Sequence, residues 1–165
     1  MILYFSGTGN SRHAAQIIQS IIGDEIVSMN DRMKTGNSEP LESEKPFVFV
    51  CPIYAWRIPR VVEKFIREHK FAGSTKAYFI FTCGDSAGNA GRYIGKLCTE
   101  KGFESLGFAS VVMPENYVAM YNVPNKEQAE VKIQNAIPEI RALAEEINPW
   151  LMKQRKRERK YRGTK

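Results

Sequence analysis

Three short runs in this chain are apolar at nearly every position: Ile2 to Phe5, Phe47 to Cys51 and Ala77 to Thr82. A strand with one wet face alternates polar and apolar residues, so runs without alternation point to strands covered on both faces. Two further runs rich in Ile, Val, Phe and Met, Glu25 to Met29 and Phe108 to Met113, bring the candidate strands to five. Helical patterns separate them. Ser11 to Ile22 carries Ala14, Ile17, Ile18 and Ile21 on one face, Pro59 to His69 carries Val61, Val62, Phe65 and Ile66, and Asn89 to Lys101 carries Ile94, Leu97 and Cys98. A last helix is expected from Asn125 to Ile147, kinked at Pro138. The polar stretch from Asn30 to Lys45, holding Gly36 and Pro40, reads as a loop. Strands alternating with helices imply right-handed crossovers and an α/β fold with a parallel sheet between two helical layers. In such sheets ligands bind beyond the carboxyl ends of the strands.

With 165 residues, one domain suffices to bury a core without disulfide or metal staples. No apolar stretch approaches the roughly 20 residues that span a bilayer, and the first run lacks the charged lead and cleavage site of a signal peptide. The expectation is a soluble cytoplasmic protein without membrane insertion. Cys51, Cys83 and Cys98 form no CxxC pair, which argues against a disulfide framework or a cysteine-bound metal. The net charge of +6 is confined to one end: Lys153 to Lys165 holds eight basic residues and one acidic, and residues 1–152 carry 16 basic and 17 acidic. The expected division is therefore a domain over residues 1–150 and a basic tail over 151–165. That tail reads as a solvated end, as a docking arm for an acidic partner or anionic surface, or, least well, as a nucleic-acid arm.

Between the first strand and the first helix stand Ser6-Gly7-Thr8-Gly9-Asn10-Ser11. A turn from strand into helix offers free backbone N–H groups to an anion. Glycines permit close approach, and the Ser6, Thr8 and Ser11 hydroxyls with the Asn10 amide add neutral donors. An N-capped helix alone would need one such residue. The lysine of a triphosphate loop is absent, and Arg12 stands where a dinucleotide fingerprint requires its third glycine. A phosphomonoester held by neutral donors fits best.

This loop after an N-terminal strand resembles the phosphate loop of flavodoxins, whose ligand is flavin mononucleotide (FMN). The segments CPIYAWRIP (Cys51 to Pro59) and TCGDSAGNAG (Thr82 to Gly91) fall where that family places its flavin-ring loops. The likeness is nearest to flavodoxin-like domains often fused to a ferredoxin, which also carry the M-P-x-N-Y segment seen here at Met113 to Tyr117. It covers residues 1–150 and implies a five-stranded sheet of order 2-1-3-4-5. It further implies flavin contacts from Pro52, Ile53, Tyr54, Ala55, Trp56 and Arg57, from Cys83, Gly84, Asp85 and Gly88, and from Asn116 and Tyr117.

Trp56, with Tyr54 second, is the natural cover for a flat ring; Gly84, Asp85, Ser86 and Gly88 suit its pyrimidine edge. Tyr117 with Asn116 covers the second face, or that face stays open to a partner. Flavodoxins often carry a glycine facing the flavin N5, where this chain has Ala55 and Trp56. A left-handed alanine costs roughly 1–2 kcal/mol. Cys51 and Cys83 read more readily as plain small apolar residues at strand ends. Cys83 does not head a phosphatase C-x5-R loop, because Asn89 stands at the arginine position. His13 and His69 read as surface residues, with phosphate contact the alternative for His13.

Acid–base pairs, hydroxyl triads and metal-ligand spacings are otherwise absent, so any chemistry belongs to a cofactor. The leading expectation is a monomeric FMN electron carrier serving redox proteins such as a ferredoxin or a larger reductase. The alternatives are an FMN-dependent NAD(P)H:quinone-type reductase and a non-redox interaction module that has lost flavin.

Overall fold

The structure, a computed structural model, describes residues 1–119 and 122–148. The basic tail lies outside the described residues. In chain order the elements are β1 (Ile2–Tyr4), α1 (Asn10–Ile22), β2 (Ile26–Ser28), α2 (Met29–Thr35), β3 (Leu41–Ser43) and β4 (Phe47–Pro52). There follow α3 (Arg60–Glu68), β5 (Phe71–Gly73), β6 (Lys76–Cys83), α4 (Ala90–Lys101), β7 (Glu104–Val112) and α5 (Lys126–Ile147).

The main sheet has five strands in the order β2-β1-β4-β6-β7, every pair parallel. Counting its own strands alone, this is the expected 2-1-3-4-5. The β1–β2 register pairs Ile2 with Ile26, Leu3 with Val27 and Tyr4 with Ser28. Strand β4 shows why its sequence lacks alternation. Phe47, Phe49 and Cys51 enter a core shared with α2, α3 and α4, while Val48 and Val50 enter a second core under α1 and α5, and all five are buried. The first core is aromatic: Phe49 stacks on Phe79 at 5.0 Å, and Phe71 and Phe103 meet Phe47 edge-on at 5.1 and 5.8 Å. Each fully buried ring contributes about 1.5–3 kcal/mol of transfer free energy.

The segment from Asn30 to Lys45 is not the expected loop. It contains most of α2 and all of β3, and β3 pairs in parallel with β5 as a separate two-stranded sheet. Helix α2 is set by its ends: the Ser28 hydroxyl accepts the Asp31 N–H at 3.2 Å, and Gly36 closes it at φ 67°. Its apolar content is little more than Met29, fully buried, and Met33. Strand β7 begins at Glu104, four residues before the expected start, because an edge strand exposes much of its length and needs few apolar residues there. Helix α5 opens on a capping box, Asn125 with Gln128, and runs through Pro138 without interruption.

Neither histidine lies at an open surface. His69 stacks on Phe65 at 3.8 Å, with its Nε2 3.0 Å from the Asn37 carbonyl. His13 is half-buried, and its Nε2 has no hydrogen-bond partner among the described residues. No described helix is long and apolar enough to cross a membrane. All three cysteines are buried free thiols.

Candidate functional site

Residues 6–11 leave β1 at the carboxyl edge of the sheet, between β2 and β4. The Phe5 N–H still bonds the Val50 carbonyl at 3.0 Å. Ser6 is then clamped by a side chain that sequence reasoning missed. Asn30, in the first turn of α2, accepts the Ser6 N–H at 2.9 Å and donates to the Ser6 carbonyl at 3.2 Å. Gly9 turns the chain at φ 109°, a conformation open to glycine, and its carbonyl begins the α1 hydrogen bonds at His13. The N–H groups of Gly7, Thr8, Asn10, Ser11 and Arg12 have no acceptor among the described residues. A helix start normally leaves such donors free; here a glycine-bearing loop gathers them on one exposed bend.

The side chains of this loop act differently from the expectation that they are donors to an anion. The Ser11 hydroxyl is buried and shares a 2.7 Å hydrogen bond with Thr82 of β6. The Asn10 amide donates to the Pro114 carbonyl at 3.0 Å. The Ser6 hydroxyl accepts the Gly9 N–H at 3.0 Å, and the Thr8 hydroxyl accepts from the Asn116 amide, so those two oxygens keep a proton to donate. The donors available to a phosphate are therefore mainly main-chain amides. Tyr54 joins them from the next loop. Its hydroxyl sits so near Gly7 that a Cβ there would lie 3.1 Å from it, and burial, with Cys51 beside it, pushes the phenol pKa up and keeps it a neutral donor.

The loop after β4 closes on itself: the Tyr54 N–H bonds the Arg57 carbonyl at 2.8 Å and the Arg57 N–H bonds the Tyr54 carbonyl at 3.2 Å. The two residues between, Ala55 and Trp56, have φ of 48° and 61°. Such two-residue turns favour Asn-Gly, and each non-glycine residue here costs roughly 1–2 kcal/mol. The turn presents Trp56, 63% exposed, across to the loop after β6, where its indole covers Gly88; a Cβ on Gly88 would stand 2.2 Å from the indole Cδ1. Arg57 turns to α3 and α4 instead. Its guanidinium lies 4.1 Å over the Tyr93 ring and 3.3 Å from Glu63, so its charge is partly compensated.

Pro52 and Ile53 are half-buried at the end of β4, and the Ile53 N–H ties this loop to the Thr82 carbonyl at 2.9 Å. Cys83 faces the sheet. Its thiol is buried 3.8 Å from the Val111 carbonyl, and burial and the nearby Asp85 charge raise its pKa. Its carbonyl accepts from Met113 at 2.8 Å, which leaves one lone pair of that oxygen and no exposed thiol for a ligand. Asp85 and Gly88 are exposed on the rim. The M-P-E-N-Y segment leans across both loops: Asn10 and Asn116 bond it to the phosphate loop, and the Glu115 carboxylate packs against Gly84. Tyr117 is 53% exposed beside it. The expected residues thus gather at one edge of the sheet, with Asn30, Thr82 and Glu115 added. A depression of about 450 Å³ lined by Pro40, Lys70, Phe71, Lys101 and Phe103 lies at the opposite, amino end of the strands and shares none of them.

A family model described as a flavodoxin domain matches residues 1–135. Among solved structures, the fold is similar to that of general stress protein 14 from Treponema denticola in complex with FMN. That likeness has a TM-score of 0.53 at 10% identity, over 91% of this chain and 96% of that one. It is also similar to an azoreductase from Bacillus anthracis (TM-score 0.51, 15% identity, 88% and 98% covered) and to a flavodoxin from the domain Archaea (0.50, 16%, 88% and 96%). At these identities the likeness is one of fold. No curated protein matches the sequence.

Proposed function

Because the chain belongs to the flavodoxin domain family, we propose that it binds FMN and carries electrons between redox proteins. The observation that carries this reading is the donor set of the opening loop: five unshared main-chain N–H groups, with the Ser6 and Thr8 hydroxyls, on a bend that contains no lysine. Neutral amides at a helix start suit a phosphomonoester. The exposed, flat indole beside the glycine-rich loop suits a flat ring. The residues present therefore fit FMN.

When bound, FMN supplies chemistry that no side chain here has, the uptake and release of one or two electrons. The chain's part is to hold and orient it. Residues 6–11 take the phosphate, with Tyr54 as a further neutral donor. Trp56 supplies an apolar face and the 84–88 loop supplies backbone groups, while Asn116 and Tyr117 close the side nearest the phosphate loop. Exposed Tyr54, Trp56 and Tyr117 leave a rim that a partner protein such as a ferredoxin or a larger reductase can approach. Three buried free thiols suit a reducing, cytoplasmic setting, and we read the chain as a monomer.

An absorption spectrum of the purified protein, followed by titration with FMN and riboflavin, tests the reading. A flavin spectrum and a strong preference for FMN are expected; absence of binding or equal affinity overturns it. Purified protein that by itself oxidises NAD(P)H in the presence of a quinone or azo dye would instead favour the reductase reading.

A further inference from the structure

Glu115 stands between the two residues that fasten its segment to the phosphate loop, and its carboxylate is divided between two tasks. One oxygen, Oε1, accepts the N–H groups of Asn116 at 2.8 Å and Tyr117 at 2.9 Å. The other, Oε2, lies against Gly84, so close that a Cβ there would be 2.1 Å from it. Oε2 has no hydrogen-bond donor among the described residues. Glycine at 84 is what admits the carboxylate, and two backbone amides hold it in place. Three of the main-chain carbonyls around it already accept one bond each: Thr82 from Ile53, Cys83 from Met113 and Pro114 from Asn10.

We propose that Glu115 is the residue that recognises the N3–H edge of the flavin, through Oε2 beside Gly84. The inference rests on the FMN reading above. An oxidised isoalloxazine is rich in acceptors and has a single N–H, at N3 between two carbonyls. The 84–88 backbone N–H groups can serve the carbonyls, and for the N–H a carboxylate oxygen already held in place and without a donor is a stronger acceptor than a neutral carbonyl. Glu115 selects ring systems with a donor at that position and rejects those substituted there.

The test compares FMN with 3-methyl-FMN, each titrated into the apoprotein by quenching of flavin fluorescence. Wild type is expected to bind FMN about tenfold or more tighter than the methylated flavin, as for loss of a hydrogen bond to a charged acceptor. Glu115→Gln keeps an oxygen for the two amides and sets an NH2 group where Oε2 was, so the ratio should fall towards one. In Glu115→Gln the preference for FMN over riboflavin should persist, which reports that the phosphate loop is intact. Glu115→Ala should lower the ratio likewise. A wild-type ratio near one, or an undiminished ratio in Glu115→Gln, overturns the assignment. Wild type that binds neither flavin overturns the FMN reading and this inference together, and is distinct from binding without discrimination.

Discussion

Replacing Ser11 by alanine should destabilise the fold while leaving the preference for FMN over riboflavin almost unchanged. The hydroxyl lies in a loop read as a phosphate site, yet it is 1% exposed and bonded to Thr82, itself 3% exposed. Ser11→Ala orphans a buried Thr82 hydroxyl, which costs about 1–3 kcal/mol. Thr82→Val orphans Ser11 instead and should cost a similar amount, since Ser11 is the second residue of α1 and has no helical turn before it to bond. The double variant removes both polar groups, and with no hydroxyl left unsatisfied the two losses should fall short of additivity by about 1 kcal/mol or more. In urea, where small domains lose about 1–3 kcal/mol per molar, Ser11→Ala should lower the apoprotein midpoint by about 1 M. The ratio of riboflavin to FMN dissociation constants should stay within about threefold of wild type, since the hydroxyl is buried against Thr82 and not presented on the loop. Additive losses across the cycle, or a wild-type midpoint accompanied by a collapse of the FMN preference, would refute the reasoning and return Ser11 to the phosphate.

Gly9→Val should weaken FMN more than riboflavin, by about tenfold; no atom lies within 4 Å of the added Cβ, so the cause is the φ of 109° and not a clash. Gly88→Ala should reduce FMN affinity in titrations, and should cost less in a Trp56→Ala background, because the new Cβ meets the indole. Native protein at pH 8 should react slowly with Ellman's reagent and release three thiols only in denaturant, since burial raises the pKa of Cys51 and Cys83 and holds Cys98 at about 11. The same shift has a stability consequence. The unfolded thiol ionises from about pH 8.5 while native Cys98 waits until about 11, so its contribution is complete below the unfolded value and is lost as pH rises through that interval. Urea midpoints should accordingly fall over this range, less steeply in Cys98→Ala.

The central strands were legible because burial on both faces removes the polar half of the strand pattern, as Phe47 to Cys51 shows. What escaped was short or non-local. Strands β3 and β5 are three residues each and owe their existence to one another, with Leu41 opposite Phe71, a pairing no local window contains. At the site the main-chain donors could be read from glycine and position alone. The side-chain roles could not, because their partners are remote: Ser11 bonds a residue 71 positions away, Asn10 one 104 away and Thr8 one 108 away. The positive φ at Ala55 was suggested only by the family's glycine there and that at Trp56 by nothing local, and Arg57 gave no sign that Glu63 and Tyr93 would draw its charge aside.

The Asn30 clamp continues a series begun in the sheet. Each pair of the β1–β2 ladder is separated by 24 positions, from Ile2 and Ile26 to Tyr4 and Ser28, and Ser6 and Asn30 are separated by the same 24. By Asn30 the chain has already left the strand for α2, so a carboxamide stands in for the peptide group that would have come next, offering one donor and one acceptor as a peptide does. Aspartate would return only the acceptor. The sheet therefore extends by a borrowed rung into the first residue of the glycine loop, so that the start of this loop is held by the ladder next to it and not by the loop's own turn.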